Sequence, residues 1–224
     1  MSGKDKLKKF RENETFDNLL QPTTAEVFRK DHPIKGNWGK EIFGNDNPII
    51  LELGCGKGEY TIALAEKFPE NNYIGVDIKG ARLWKGAKYA TENGLKNVAF
   101  LRTRIEFIDS IFSQGEVSEI WLTFSDPQPN KPRKRLSSPL FLERYSHILK
   151  EDGIIHLKTD SQLLHEYTLE TIEDENHILI EANNDIYGTK RADNDDILSV
   201  KTFYEKQFLA KGMAITYAKW RLRK

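Results

Sequence analysis

The chain predicts a doubly wound α/β fold, a mostly parallel sheet with helices on both faces, and three observations carry that prediction. Apolar strand-like runs alternate with helix-period segments across residues 49–174. The first strand, 49–53, runs into a glycine-rich turn and then a helix. The second, 73–77, ends in an acid. In such sheets, ligands lie outside the carboxyl ends of the strands, beside the point where strand order reverses.

Residues 1–18 are read as flexible, or as helical only on binding. Residues 23–30 suggest a short helix, and 32–47 form a polar approach segment anchored by Trp38 and Phe43. Strand 49–53 is followed by helix 58–68, strand 73–77 by helix 81–93, which Gly94 stops. Strand 98–101, a short helix over 106–112 and strand 119–124 come next. Ser138 is placed to cap a helix whose first position is Pro139 and which runs to Ile148. Asp152-Gly153 turns into strand 154–158, and 161–174 is helical. The last third changes character: strand 177–182, a long polar loop over 183–198 and a final strand, 214–220. Two strands without a crossover helix most simply pair antiparallel at the sheet edge.

The 224 residues suffice for one well-buried domain with extensions. No apolar run approaches the roughly 18 residues of a membrane span. The start, MSGKDKLKKFRE, is basic with no apolar stretch behind it, unlike a secretory signal. The single Cys55 excludes an internal disulfide and suits a reducing, cytoplasmic compartment. Formal net charge is zero, but the charges are not evenly spread. Lys4, Lys6, Lys8, Lys9 and Arg11 cluster at one end, and Lys131, Arg133, Lys134 and Arg135 crowd one loop. A dipolar surface of this kind can hold a phosphate backbone, although a terminal charge run alone is equally read as a solvated face.

The turn reads Gly54-Cys55-Gly56-Lys57-Gly58. It lacks the third glycine of a dinucleotide turn and the Gly-Lys-Ser/Thr end of a phosphate loop. A nucleoside cofactor without a pyrophosphate fits better, and S-adenosyl-L-methionine is the candidate, with S-adenosyl-L-homocysteine as its product. Gly54 and Gly56 let a ligand approach the backbone. Glu52 shares a strand face with Gly54, so this buried acid needs a partner: the cofactor's ammonium or a turn N–H, or else it is a structural carboxylate tying down the turn. Asp77 is placed to accept from ribose hydroxyls. Cys55 is read as a packed small side chain, not a nucleophile.

The next strand ends in Ser125-Asp126-Pro127-Gln128-Pro129, which puts a carboxylate on proline-stiffened chain over the crevice. The four cations that follow between Lys131 and Arg135 expect a polyanion. Residues 156–160 (HLKTD) end a strand with a second carboxylate, Asp160, and Thr202-Phe203-Tyr204-Glu205 forms a third polar set. Each alone could be a cap or a solvated group.

With ELGCGKGEY and YIGVD, FSDPQPNKPRKR, HLKTD and TFYEKQF in this order, the chain resembles bacterial tRNA (guanine-N7-)-methyltransferases over residues 43–221. The resemblance implies a Rossmann-like class I S-adenosylmethionine-dependent methyltransferase fold, a mostly parallel seven-stranded sheet with an antiparallel last strand. It implies a basic extension over 1–42 and a single methyltransferase domain over 43–224. It also implies tRNA as partner, N7 of a variable-loop guanine as acceptor, no metal and no membrane. On it, the cofactor residues are Glu52 and Asp77 with the glycines, and the essential aspartate, also near the cofactor, is Asp126. The guanosine-contacting groups are Asp160 and the motif of Thr202 and Glu205.

Two positions depart from the family pattern. Arg104 stands where an aspartate contacts the adenine side of the cofactor, so that contact passes to a backbone amide or Glu106, or else Arg104 faces RNA. Asn130 stands where a lysine is usual, and Lys131 follows it; with Arg133 these are the candidate substrate contacts. The alternatives are a small-molecule or protein methyltransferase of the same fold, and a non-catalytic RNA-binding protein with a decayed site. Composition decides neither oligomeric state nor tRNA preference.

Overall fold

The computed structural model describes residues 3–223. Eight strands form one sheet: β1 (Leu19–Leu20), β2 (Ile49–Leu53), β3 (Asn72–Asp77), β4 (Val98–Arg102), β5 (Val117–Thr123), β6 (Leu149–Thr159), β7 (Ile178–Asn183) and β8 (Thr216–Arg221). Their order is β1-β4-β3-β2-β5-β6-β8-β7. Pairing is parallel from β1 to β6, and β8 runs antiparallel to both β6 and β7. Strand order reverses between β2 and β5, which puts the crevice beside the glycine turn.

Residue alternation sorts the core into two layers. Leu51, Leu53, Ile74, Val76, Leu101, Ile120 and Leu157 point to one face, where helices α5 (Pro139–Ile148) and α6 (Gln162–Asp174) pack. Ile50, Tyr73, Phe100, Trp121 and Tyr217 point to the other, under α3 (Glu59–Lys67), α4 (Gly80–Glu92) and α7 (Phe203–Ala210). Both faces are covered, as a parallel sheet requires. No helix among the described residues is long and apolar enough to cross a membrane.

The differences from the sequence reading have local causes. The sheet has eight strands, not seven, because Leu19 and Leu20 pair with Phe100 and Leu101 at the edge. The antiparallel last strand lies inside the sheet, between β6 and β7. Strand β6 starts at Leu149, five residues early, since Leu149 pairs with Val117 before a register shift leaves residues 150–153 without partners on β5. Residues 3–13, read as flexible or helical only on binding, form α1 (Gly3–Asn13) against α4: the Asn13 amide donates to the Gly80 carbonyl at 3.0 Å, and Glu12 accepts from Trp84 and Lys88, each at 2.8 Å. The helix expected over 23–30 shrinks to α2 (Thr24–Val27). Trp38 is the anchor expected of it, fully buried and stacked on Phe112 at 5.0 Å.

Gly58 opens α3 at φ +72°, and a Cβ there would run into the Phe100 ring, which a Cβ on Gly75 would also meet at 2.9 Å. Gly58→Ala combines left-handed backbone strain with overpacking and is expected to cost about 2–4 kcal/mol. Thermal unfolding checks this: the midpoint falls by about 2–4 °C per kcal/mol in a domain of this size.

Candidate active site

Four strand ends and two loops build the site. At the end of β2 the chain turns through Gly54 and Gly56, both at positive φ. The Gly54 and Cys55 amides donate to the Val76 carbonyl at 2.8 and 3.1 Å, tying the turn to β3. A Cβ on Gly56 would meet nothing, and one on Gly54 only Leu136 at 3.8 Å, so the free space lies on the outer side of the turn, where a ligand would approach. Asp77, buried at the end of β3, accepts from the Gly56 amide at 3.0 Å on one oxygen and the Lys79 amide at 2.7 Å on the other. Each oxygen keeps a lone pair for a further donor.

Glu52 is buried and accepts from the Thr61 amide at 2.9 Å and from the Thr61 and Thr123 hydroxyls. It ties the end of β2, just before the turn, to α3 and β5, and it also lines a small cleft. Burial pushes its carboxyl up to about 7, against the three hydrogen bonds that favour the charged form, and Asp77 nearby adds to the rise. Cys55 is buried and its thiol is pushed up by burial, which suits packing rather than nucleophilic attack.

After β5, Phe124 and Gln128 sit at φ +49° and +44°, a costly region for side chains of this size. The loop is held there: the Phe124 amide donates to the Lys158 carbonyl at 2.9 Å, and the Gln128 amide to the Asp126 carboxylate at 3.0 Å. Asp126 itself is exposed. Ser125 Oγ beside it is buried with no hydrogen-bond partner. Asn130, Lys131, Arg133 and Lys134 are exposed, the last two in a short 3₁₀ turn. Arg135, the fourth cation of the loop, is not: it is buried, donates to the Pro127 carbonyl at 2.9 Å and lies 4.3 Å over the Tyr167 ring. It holds the loop instead of offering charge to a partner.

Two clefts meet at Gly54. The larger, about 320 Å³, is bounded by Asp77, Ile78, Arg104, Gln128, Lys134 and Leu136. The smaller, about 100 Å³, is bounded by Glu52, Tyr60, Thr123, Phe124, Thr202 and Tyr204. Asp126 lines neither but stands on the loop between Phe124 and Gln128, one in each wall. Arg104 is exposed and paired with Glu106 at 2.9 Å, and both border the larger cleft. A larger depression, about 950 Å³ between residues 27–35 and the end of α5, contains none of the strand-end acids, so we place the chemistry at the glycine turn.

The acceptor-side residues divide. Asp160 is half-buried after β6, its carboxyl raised by burial, and lines neither cleft. Thr202 lines the smaller cleft and caps α7, its hydroxyl accepting from the Glu205 amide at 3.2 Å. Glu205 turns inward: it is wholly buried, paired with Lys158 at 2.7 Å, and accepts from the Tyr187 hydroxyl at 2.6 Å. The sequence reading gave no role to Lys158, Thr61, Thr123 or Tyr60, and it placed Tyr204 only within the polar set at 202–205. Lys158 carried a signal, an ammonium on the same strand face as His156 inside a buried strand.

The arrangement suits a nucleoside ligand with a cationic arm. There is room and an acceptor pair at Asp77, a buried acid at Glu52 whose carboxyl is pushed up by burial, and an unpartnered hydroxyl at Ser125. Among the described residues no group of three His, Cys, Asp or Glu is gathered as a metal site.

A family model described as "putative methyltransferase" matches residues 46–218. The chain is 49% identical to the tRNA (guanine-N(7)-)-methyltransferase of Christiangramia forsetii over 225 residues, covering all of both chains. It is 52% identical to the protein of the same description from Bacteroides thetaiotaomicron, covering 98% of this chain and 86% of that one. Among solved structures, the 16S rRNA methyltransferase KamB is similar with a TM-score of 0.65 at 12% identity, over 83% of this chain and 92% of that chain. At that identity the likeness concerns the fold alone.

Because folding raises the Glu52 carboxyl from 4.5 to about 7, the folded chain holds that proton more tightly. Its contribution is full below pH 4.5 and is lost as pH rises through 7, an order of about 3 kcal/mol. Glu52→Gln should flatten this slope, as read from urea unfolding of both proteins between pH 5 and 8.

Proposed function

The chain belongs to the tRNA (guanine-N(7)-)-methyltransferase family, and from that premise we propose that it transfers a methyl group from S-adenosylmethionine to N7 of a guanine in the variable loop of tRNA. The observation that supports this reading most is Asp126. It stands on a pinned, strained loop between a nucleoside-sized cleft and a smaller cleft floored by Glu52, with three exposed cations following it.

Asp77, Gly54 and Gly56 hold the ribose end of the cofactor, and Glu52 faces its cationic arm. Glu106, held by Arg104, supplies the acid on the adenine side that the family places at residue 104. When bound, S-adenosylmethionine supplies an electrophilic methyl group on a sulfonium. Guanine N7 carries an in-plane lone pair and no proton, so no side chain of this chain has to act as a base. The protein's task is to hold the ring in line, which is an orientation effect. Methylation leaves positive charge on the imidazole ring, and the carboxylates of Asp126 and Asp160 lower the energy of that charge as it develops. The same two acids can accept from N1–H and the 2-amino group, the donors that separate guanine from adenine.

Lys131, Arg133 and Lys134 grip the phosphate backbone, with Asn130 at the edge of the acceptor. Arg135 keeps that flap in place from within. N7 lies in the major groove, which is deep and narrow in RNA helices, and tertiary contacts within tRNA can occupy it, so local opening of the nucleotide accompanies binding. The reaction belongs in the cytoplasm, where tRNA is abundant and Cys55 stays reduced.

Radiolabelled transfer to unmodified tRNA followed by nucleoside analysis is expected to yield N7-methylguanosine; label in any other nucleoside, or none, overturns the reading. Asp126→Ala should keep cofactor affinity while single-turnover methylation falls about 10²-fold or more. Replacing Lys131, Arg133 and Lys134 together by Ala should lower the slope of log affinity for tRNA against log salt by about 2–3, measured by filter binding.

A further inference from the structure

Lys158 is wholly buried near the end of β6, and all three of its ammonium protons are engaged. It donates to Glu205 at 2.7 Å and to the carbonyls of Leu198 and Val200 at 2.8 and 2.9 Å. The Tyr60 and Tyr187 rings lie 5.3 and 6.0 Å from it, and the Tyr187 hydroxyl donates to Glu205. One side chain thus fastens the end of the 184–201 loop and the first turn of α7 to the rim of the sheet.

The same wall is fastened from the cofactor side. The Tyr60 hydroxyl donates to the Ile197 carbonyl at 3.0 Å, and the Phe203 amide to Glu59 at 2.7 Å. Thr202 and Tyr204, which close the smaller cleft opposite Glu52, have no strand of their own; their place is set by these fasteners. A buried ion pair is a poor source of stability, since a matched apolar pair would serve as well. What the pair supplies is a fixed position.

We propose that Lys158 is a positioning residue for the acceptor side of the site, and that Glu205 acts through it, as its counter-charge, without touching the guanine. This rests on the methyl-transfer reading above. The test is a double-mutant cycle with Lys158→Met, Glu205→Gln and both together, alongside Tyr187→Phe. It reads KM for tRNA, tRNA affinity by filter binding, S-adenosylmethionine affinity by calorimetry and the melting midpoint. Each charge variant is expected to raise KM and weaken tRNA binding about tenfold or more, with a smaller loss of cofactor affinity because Thr202 and Tyr204 also close the cleft floored by Glu52, and the double variant should be no worse than the worse single. Tyr187→Phe, which leaves both charges in place and folds without a buried orphan, should raise KM about threefold to fivefold.

Multiplicative single effects, or Glu205→Gln crippling binding while Lys158→Met and Tyr187→Phe leave it unchanged, would mean direct contact by Glu205 and overturn the proposal. So would lowered melting with unchanged KM. Should Lys158→Met not fold, Glu205→Gln and Tyr187→Phe decide, because an unchanged KM in Tyr187→Phe is itself contrary. Failure of the unaltered enzyme to methylate tRNA would instead remove the functional reading.

Discussion

The rim of this sheet is organised around one carboxylate. Glu52 sits at the end of the central strand and takes hydrogen bonds from three groups on two other elements: the amide and hydroxyl of Thr61 in α3, and the hydroxyl of Thr123 at the end of β5. Those bonds set where the helix begins and where the Asp126 loop leaves the sheet. The glycine turn is bracketed between them and has little choice of path, since Asp77 holds it from the β3 side. An acid so placed costs desolvation, and the molecule offsets part of that by filling its lone pairs with three donors.

Charge is used twice over in this architecture, and position in the fold decides which way. Within one short loop, Lys131, Arg133 and Lys134 stay in solvent while Arg135 turns in under Pro127 and onto Tyr167. The acids divide in the same manner: Asp126 stays exposed on its loop, whereas Glu205 is withdrawn against Lys158. A buried cation behind a charged flap stiffens the flap without competing for its partner. That division leaves a surface whose charged groups do not have to be gathered first when a partner arrives.

The strands and the glycine turn were legible in the sequence because their signals are local. Period-two alternation, the acid ending β3 and the Ser138-Pro139 helix start each need only a few neighbouring residues. The groups that escaped notice depend on distant partners. Tyr60 reaches a carbonyl 137 residues away, and Lys158 reaches carbonyls 40 and 42 residues on. No pattern within a strand reveals such a pairing. Helix α7 went unread for a different reason: the cap reading of Thr202 and Glu205 was set beside a binding motif and not extended into a helix, yet Thr-x-x-Glu is a helix-capping box, and here it is one. The two-residue β1 is too short to show any period at all.

The position of β8 has a consequence for an incomplete polypeptide. Strands β6 and β7 are not bonded to each other; they are joined only through β8, which follows both in the chain and slots between them with Trp220 fully enclosed. A product of premature termination that lacks this segment has two orphaned ladder edges and an empty aromatic socket beneath α6. It cannot settle into a smaller native state, because the missing piece is a keystone rather than a fringe. A copy lacking this segment therefore exposes unpaired ladder edges on both neighbouring strands, the kind of surface on which sheets associate with other chains.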